Sequence, residues 1–435
     1  MPLIADTLTN ANMFRQMLGM SANSTFSDIA SNIFISRDSG AGIIDEYTGM
    51  NGSISVKQAD VVLDTFPLNY QNNYTAQDSL NDLTYYAGKQ SLNGPGMTYA
   101  IFSIVAAAVA PSGCASYTYQ QYSEQPYARA PWFQFSEQLL DDFTANGGTH
   151  PAYPFLTGHG GANQITIFGY LGLRLTPDFT LHIDPSLPPQ IPNLKYRTIY
   201  WQGWPISATA NRTHTTLTRL STPYTTANTT FANSSIPVQI GNDTTQTYPL
   251  PPNSSLTFPN RNPANTTAVP GNIAQCLFAS SPSAFQPGQF PISAIDGAAS
   301  TKWQPTLSNT STSLTVILHS QPYQPISSLF FDWAQNPPAN FTVVFQNTSS
   351  AAVLATAQTN VQISVPYNAT EINMVLPYMS NTTTVTLSPP VWSGDYATLS
   401  IQGNQASSAT NSTGATVAEW AIVGRGGQML PGGGS

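Results

Sequence analysis

Over the first 174 residues, apolar side chains recur with the period of an α-helix. Met13, Phe14, Met17 and Leu18, for example, are spaced so that they share one helix face. The pattern predicts helices over Asn10–Met20, Ser27–Phe34, Lys57–Phe66, Thr75–Gly88, Pro95–Ala110, Trp132–Phe143 and Gly161–Leu173. Loops rich in glycine, asparagine and proline lie between them, which is typical of a series of helical hairpins.

Beyond residue 175, apolar and polar positions alternate, and this pattern predicts β-strands. The predicted strands include Phe179–Ile183, Tyr196–Trp201, Thr215–Leu220, Leu314–Leu318, Leu329–Asp332, Phe341–Phe345 and Val361–Val365. We interpret the Thr-, Asn- and Pro-rich stretch Thr222–Pro270 as a glycosylated linker or as loosely folded sandwich loops. We therefore predict an α+β multidomain chain, with a helical domain at 1–174, a β-rich connector at 175–270, a β-sandwich at 271–427 and a flexible tail at 428–435.

The chain is poor in charge, and this changes the picture of its surface. Charged residues make up 8 % of the 435 residues, whereas about 25 % is typical of soluble domains. Fifteen Asn-X-Ser/Thr sequons are present, and twelve of them follow residue 210. N-linked glycans on that half would supply the missing hydrophilic surface. We therefore expect a secreted glycoprotein of the cell wall, the periplasmic space or the vacuole.

Charge and hydropathy also exclude some classes of partner. The formal net charge is −8 and no basic stripe is present, so we expect no nucleic-acid partner. The longest apolar stretch, Ala100–Ala110, is too short to span a bilayer. Met1–Asp6 has neither the basic start nor the apolar core of a signal peptide. Together with the sequons, this leads us to expect that the natural N-terminus lies upstream.

Cys114 and Cys276 are the two cysteines of the chain. They could form one long-range disulfide, remain as two buried thiols, or have lost partners from a longer chain. No CxxC pair or other metal-ligand spacing occurs. We therefore expect neither a metal nor a cofactor.

Candidate chemistry is confined to the helical part. The nucleophile elbow, the phosphate-binding loop and the zinc-protease motif are absent. Helical hairpins with aromatic-rich loops would suit an (α/α) barrel glycosidase, which needs two carboxyl groups. The loop carboxylates are Asp38, Asp45, Glu46 and Glu124, and Glu137 falls inside a predicted helix. His150 and His159 flank a glycine-rich loop and could either bind a ligand or tether that loop.

Four segments carry a resemblance to a known family. Ser55–Val62 resembles the Lys-Gln-Ala-Asp-Val helix start of glycoside hydrolase family 65. Asn93–Tyr99, Pro131–Glu137 and the loop Gly147–Gly161 are similar to segments of the fungal acid trehalases in that family. The resemblance covers about residues 1–215. It implies the C-terminal half of an (α/α)6 barrel and the inverting hydrolysis of α,α-trehalose to two glucoses.

The resemblance also implies roles for particular residues. Lys57 and Gln58 would hydrogen-bond the hydroxyls of the departing glucose, since their side chains offer several donors and an acceptor. His150 and His159 would contribute to the same substrate site. The general-acid glutamate of the family precedes the Lys-Gln motif, in a region upstream of Met1. Glu137 and Glu46 are the candidates for the general base.

Two alternatives stay open. Phosphorylases of the same family hold phosphate with a Ser-rich loop and a nearby histidine. The corresponding positions here are Gly94–Gly96 and Phe155, which favours water as the nucleophile. Another α-glucoside could replace trehalose, or the chain could be a non-catalytic glycan-binding fragment.

The C-terminal segment carries a second resemblance. Ala294–Gly297, followed by Ser300–Pro305, resembles the discoidin (factor 5/8 type C) motif. This implies a jelly-roll sandwich of a kind that often binds carbohydrate, here a cell-wall glycan. We predict that Trp303 is a core residue rather than a sugar platform. We predict that Asp296 fixes a turn or a structural cation.

Overall fold

The structure is a computed structural model that describes residues 1–50, 54–58, 60–91, 94–241, 246–261, 267–348, 350–364, 381–407, 409 and 412–424. It is a mixed α+β chain. The tail predicted at 428–435 lies outside the described residues. In the part that is described, every helix is too short or too polar to cross a membrane.

The helices occupy the first 170 residues. They are α1 (Pro2–Met17), α2 (Ser24–Asn32), α3 (Ala76–Lys89), α4 (Thr98–Val109), α5 (Ala115–Glu124) and α6 (Leu156–Gln164), which continues as a π-helix over Ile165–Tyr170. A capping box fixes the start of α3, because Thr75 and Asp78 each satisfy the other's backbone N–H. Helix α4 is apolar on almost every side and is the buried centre of this part.

Two helix predictions were wrong. Lys57–Phe66 forms only a 3₁₀ turn at Val61–Asp64, so the Lys-Gln motif does not start an α-helix. Trp132–Phe143 is not helical: Ala128–Arg129 (β3) and Gln134–Phe135 (β4) form a short hairpin. Phe133 in its turn has φ +52°, which a helix cannot accommodate.

Tertiary contacts hold this hairpin in place of a helix. The Arg129 guanidinium donates to the carbonyl oxygens of Gln138 and Leu139 at 2.8 and 3.0 Å and pairs with the Asp141 carboxylate. Trp132 and Phe133 are 78 % and 69 % exposed. The apolar spacing of this segment therefore does not mark a buried helix face.

Two small sheets follow the helices. Their strands are β5 (Leu181–Ile183), β6 (Asn193–Lys195), β7 (Ile199–Trp201), β8 (Trp204–Asn211), β9 (His214–Arg219), β10 (Ile236–Ile240), β11 (Tyr248–Leu250) and β12 (Ser255–Pro259). One sheet has the order β11-β10-β5, with β10 parallel to β5. The other has the order β12-β9-β8-β6, with β7 also paired to β8. A further short pair, β1 (Arg37–Asp38) and β2 (Ile43–Ile44), lies before α3.

The interpretation of Thr222–Pro270 as loose was wrong for its described residues. Strands β10 to β12 lie inside it, and Ile236, Val238 and Leu250 are completely buried. They belong to the same hydrophobic core as Phe102 of α4. One hydrophobic core therefore contains residues from both sides of residue 174. The domain boundary predicted at that residue stays a prediction.

The remaining strands form two antiparallel sheets packed on a second core. The strands are β13 (Ala279–Ser280), β14 (Thr312–Ile317), β15 (Pro325–Asp332), β16 (Asn340–Gln346), β17 (Val353–Thr359), β18 (Thr382–Trp392), β19 (Tyr396–Gln402) and β20 (Glu419–Gly424). The sheet orders are β13-β14-β19-β16-β17 and β18-β15-β20. Trp303, Trp333 and Trp420 are fully buried between them, which confirms Trp303 as a core residue. The strand predicted at Val361–Val365 does not form over 361–364, and Val365 lies outside the described residues.

A disulfide joins the helices to the sandwich. Cys114, just before α5, is bonded to Cys276, with 5.6 Å between their Cα atoms. Ser112 donates its hydroxyl to the Asp296 carbonyl oxygen at the same contact. The Asp296 side chain accepts the N–H of Ala298, as expected for a residue that fixes a turn. Of the three alternatives for the cysteines, the intramolecular pair is the one observed.

Candidate functional site

The turn Gly94–Gly96, immediately before α4, is the point where the candidate segments meet. Gly94 packs so closely on the Lys57 carbonyl oxygen that a Cβ could not be accommodated. Gly96 packs against the ring of Tyr127, where an added Cβ would lie 2.6 Å from a ring carbon. Glycine is therefore required at both positions for the turn to approach its neighbours.

The Lys57–Gln58 segment is held through its backbone. Gln90 Nε2 donates to the Lys57 carbonyl oxygen at 3.1 Å, and the Ser91 N–H donates to the Val56 carbonyl oxygen at 2.8 Å. The Lys57 side chain itself is exposed. Gln58 is half-buried, and its Nε2 donates to Asp60 Oδ1 at 3.3 Å. The fold thus positions this segment without using the Lys57 ammonium group.

Glu137 lies on the other side of the same turn, two residues beyond β4. The Gly96 N–H donates to its carbonyl oxygen at 2.8 Å. Its carboxylate accepts the N–H of Ala152 at 2.9 Å through Oε2. The side chain is half-buried and lies on a loop, not in the helix expected from the sequence. The Gly96 contact therefore holds the Glu137 backbone, and the Ala152 contact orients its carboxylate.

The two histidines have different surroundings. His159, in α6, accepts the Phe135 N–H at Nε2 at 3.0 Å and stacks on the Phe135 ring at 4.5 Å. This bond requires a lone pair on Nε2, so in the neutral ring the proton lies on Nδ1. His150 is exposed and stacks on Phe143 at 4.9 Å. The structure brings His159 to the hairpin that leads to Glu137.

Glu46 follows β2 and adjoins the segment that carries the Lys-Gln motif. Its carboxylate accepts the backbone N–H of Asp60, while its other oxygen, Oε1, is buried without a hydrogen-bond partner. Burial raises the pKa of Glu46, and the nearby Asp60 carboxylate raises it further. Glu46 therefore favours the neutral carboxylic acid more than an ordinary glutamate does.

The four segments were recognisable in the sequence, but the residues that connect them were not. Gln90 holds Lys57, and with Leu139 it lines a groove of about 700 Å³ that continues to the sandwich. Trp132 and Phe133 are exposed on the hairpin before Glu137. The sequence feature that could have indicated this exposed pair is the occurrence of two adjacent aromatic residues between Pro131 and Glu137. Among the described residues, no three His, Cys, Asp or Glu side chains form a group that could hold a metal.

Comparison with known proteins identifies the lineage of the chain. Residues 173–227 match the model of the glycosyl hydrolase family 65 C-terminal domain. The chain is 53 % identical to a cell wall acid trehalase of Arthroderma benhamiae, over 97 % of this chain and 43 % of that protein. It is 52 % identical to an acid trehalase of Emericella nidulans, over 98 % of this chain and 42 % of that protein. This chain is a homologue of the fungal acid trehalases.

The relationship to the acid trehalases extends to more distant sequences. A cell wall acid trehalase of Candida albicans is 33 % identical over 78 % of the chain and 32 % of its own length. The chain spans about two-fifths of the length of the first two relatives. The matched family 65 domain covers strands β5 to β9, which share a core with α4. In this acid trehalase homologue, the family domain and the candidate site are therefore parts of one packed unit.

Proposed function

We propose that this chain supplies the glucose-binding residues and the general base of an enzyme that hydrolyses α,α-trehalose to two glucoses with inversion. The observation that carries the proposal is the convergence of the Lys57–Gln58 segment and Glu137 on the turn Gly94–Gly96. The similarity to proteins named acid trehalases supports trehalose as the substrate.

For the architecture, we propose the C-terminal half of an (α/α)6 barrel at 1–174, a β-rich connector at 175–270 and a discoidin-like sandwich at 271–427. The succession α3 to α6 around the buried α4 supports the half-barrel. Two antiparallel sheets packed on tryptophans support the sandwich. The other half of the barrel, with the general acid, would be contributed by sequence outside this chain.

In the proposed reaction, Lys57 and Gln58 hold the hydroxyls of the departing glucose, and His150 and His159 border the site. The general acid protonates the bridging oxygen as the glycosidic bond breaks. Glu137 removes a proton from the water that attacks the anomeric carbon from the opposite face. In this reaction the general acid loses one proton and the general base gains one. No cofactor takes part.

Glu137 is the better of the two base candidates. It shares the Gly94–Gly96 turn with Lys57, and its carboxylate is oriented by the Ala152 N–H. Glu46 is shifted toward the neutral acid by burial and by Asp60. A protonated carboxyl group cannot accept a proton from water, so Glu46 is less suited to the task at acidic pH.

Hydrolysis is also better supported than phosphorolysis. The turn at Gly94–Gly96 has no hydroxyl side chain, and Phe155 offers no donor at the position where phosphorylases of this family carry a histidine. A phosphate dianion needs several donors or cations. Water, by contrast, needs only the base and space to approach.

We further propose that the protein is secreted to the cell wall, the periplasmic space or the vacuole and carries N-linked glycans. Relatives named as cell wall and as periplasmic or secreted acid trehalases support this location. We also propose that the sandwich contacts cell-wall glycan. Nucleic acid is not among the proposed partners.

The test is to compare Glu137→Gln, Glu46→Gln and the control Glu124→Gln in the full-length enzyme. Glu124 lies in α5 and pairs with Gln120. Glu137→Gln should lower kcat by about 10²–10⁴-fold, whereas the other two should stay within a few-fold of wild type.

NMR should show that one of the two glucoses is released as the inverted β-anomer, and added phosphate should yield no glucose 1-phosphate. Loss of activity in Glu46→Gln alone would transfer the role to Glu46, and glucose 1-phosphate would make the enzyme a phosphorylase.

A further inference from the structure

Two large aromatic side chains stack on each other at one end of the sandwich. The rings of Tyr323 and Trp392 lie 4.8 Å apart and within 18° of parallel. Trp392 is the last residue of β18, and Tyr323 lies in the turn before β15. Tyr323 is 60 % exposed and Trp392 is 52 % exposed. A paired aromatic surface of this kind is the usual mark of a binding site.

The groove beside the rings has an uncharged lining. A groove of about 290 Å³ runs along the pair, and Gln346, Asn347 and Val353 also line it. None of the described residues that line this groove is Lys, Arg, Asp or Glu. An occupant with apolar faces and neutral polar edges fits such a surface, and a pyranose sugar has both.

Asn347 is the asparagine of a sequon, which Ser349 completes. It directly follows β16, where the short connection from β18 to β19 packs on the chain. The Asp395 N–H donates to the Gln346 carbonyl oxygen at 2.9 Å, and Thr348 donates both its N–H and its hydroxyl to Asp395 Oδ2 at 2.6 Å. The connection that follows Trp392 is thereby fastened to the sequon.

Gly394 makes the close approach possible. Its φ is +63°, and an added Cβ would lie 2.9 Å from the Gln346 carbonyl oxygen and 3.1 Å from Asn347 Oδ1. A residue with a side chain would push this connection away from Asn347. The distance between the sequon and the aromatic pair is therefore set by the fold.

We propose that Asn347 carries an N-linked glycan whose first sugars lie on the Tyr323–Trp392 pair. The Asn347 Nδ2 atom bonds to C1 of the first N-acetylglucosamine, displacing the diphosphate of a polyprenyl-diphosphate oligosaccharide, and Nδ2 releases one proton. The C–H face of the sugar then covers the rings and removes their apolar area from water. The glycan occupies the groove, so the pair is not available to an external cell-wall glycan. This inference rests on the proposed secretion.

The experiment uses the full-length protein secreted from a glycosylating fungal host. Mass spectrometry of peptides should show glycan on Asn347. Ser349→Ala removes the sequon but keeps Asn347, and Trp392→Ala removes one ring. Ser235→Ala is the matched control, because it removes the sequon of Asn233, an exposed residue outside this groove. Ser349→Ala and Trp392→Ala should each lower Tm by about 2–4 °C, and Ser235→Ala should not.

The double variant separates glycan contact from ordinary packing. Trp392→Ala should lower Tm much less in the Ser349→Ala background than in wild type, because the ring is then no longer covered by the glycan. An equal fall in Tm in both backgrounds overturns the proposal. Glycan on Asn233 but not on Asn347 overturns it while leaving secretion intact, whereas no glycan on any sequon overturns both. If Asn347 is bare and Trp392→Ala abolishes binding to insoluble cell-wall glucan, the pair is an external glycan site instead.

Discussion

Glu137 and Ala152 are joined by two hydrogen bonds that run in opposite directions. The Ala152 N–H donates to Glu137 Oε2 at 2.9 Å, and the Glu137 N–H donates to the Ala152 carbonyl oxygen at 3.0 Å. The first bond fixes the carboxylate and the second fixes the backbone from which it extends. A carboxylate held in this way spends little time in other orientations, which suits the general base that we propose.

Shortening Glu137 by one methylene group tests this positioning. In Glu137→Asp the carboxylate retreats from the Ala152 N–H and from the place that we propose for the attacking water. A displacement of about 1 Å can cost about 10²-fold in rate. We expect kcat to fall by about that factor while KM changes less than threefold, as measured by steady-state trehalose hydrolysis. An increase confined to KM would show that Glu137 binds substrate and does not act as the base.

Lys57 should affect binding without affecting folding. Its contribution to the structure is made by its carbonyl oxygen, which accepts from Gln90, and its side chain is exposed. We expect Lys57→Met to raise KM for trehalose at least about tenfold, since hydrogen bonds to charged groups are worth about 1.5–3 kcal/mol. Tm should be unchanged. Lys195→Met, which removes another exposed ammonium, should leave both quantities unchanged, and a similar KM in both variants would refute the role of Lys57.

Gln90 should affect both folding and substrate binding. Its Nε2 donates to the Lys57 carbonyl oxygen at 3.1 Å and to Thr98 Oγ1 at 3.3 Å, so it ties the Lys-Gln motif to the start of α4. Gln90→Leu removes both bonds and should lower the free energy of unfolding by about 1–2 kcal/mol. The same change should raise KM by releasing Lys57. Urea titration and kinetics together check this, and a loss of stability with normal KM would show that Lys57 keeps its position without Gln90.

How far the sequence could predict this structure differs from helix to helix. Helices α3 and α4 were predictable because Thr75 and Asp78 form a capping box and Thr98–Val109 is almost entirely apolar. Helix α5 was missed because Ser116 and Thr118 are buried beside Tyr119, and these polar residues weaken the apolar period of its buried face. Polar side chains there bond to other elements; Tyr119, for instance, reaches Ser300 of the sandwich.

The candidate site, too, could be predicted from the sequence only in part. The motifs around Lys57 and Glu137 could be recognised in the sequence, since each is a local pattern. Their meeting at Gly94–Gly96 could not, because it depends on hydrogen bonds between segments up to 41 residues apart, such as Gly96 to Glu137. The helix expected at Trp132–Phe143 failed because Trp132 and Phe133 are exposed and Arg129 holds the segment as a hairpin.

The disulfide between Cys114 and Cys276 should contribute strongly to stability. It closes a loop with a sequence separation of 162 residues, and loss of a native disulfide typically costs about 2–5 kcal/mol. The double variant Cys114→Ser/Cys276→Ser should unfold at lower urea by a corresponding amount. Peptide mapping without reductant should recover the linked pair from wild type. Equal stability of oxidised and reduced protein would contradict this role.

Stability should fall as the pH rises from about 4 to 7, because several carboxyl groups are buried. Asp296 accepts the Thr301 hydroxyl at 2.8 Å, and Glu419 accepts the Gly297 N–H at 3.0 Å. Burial raises the pKa of Asp296 from 3.8 to about 7 and that of Asp332 to about 6, and it raises the pKa of Glu419 well above its usual value. These groups keep their protons in the folded state at pH values where the unfolded chain has lost them.

The sign follows from the proton count. Between pH 4 and the raised pKa the folded state binds more protons than the unfolded state. Each such group therefore lowers the free energy of unfolding by up to about 1.4 kcal/mol for each unit by which the pH rises. The carboxyl groups with lowered pKa, such as Asp141 and Asp395, act below about pH 4 and do not offset this. Urea titrations at pH 4.5, 5.5 and 6.5 should show the decline. Asp296→Asn, which cannot ionise, should make it shallower, and a wild-type protein more stable at pH 6.5 than at pH 4.5 would contradict the assignment.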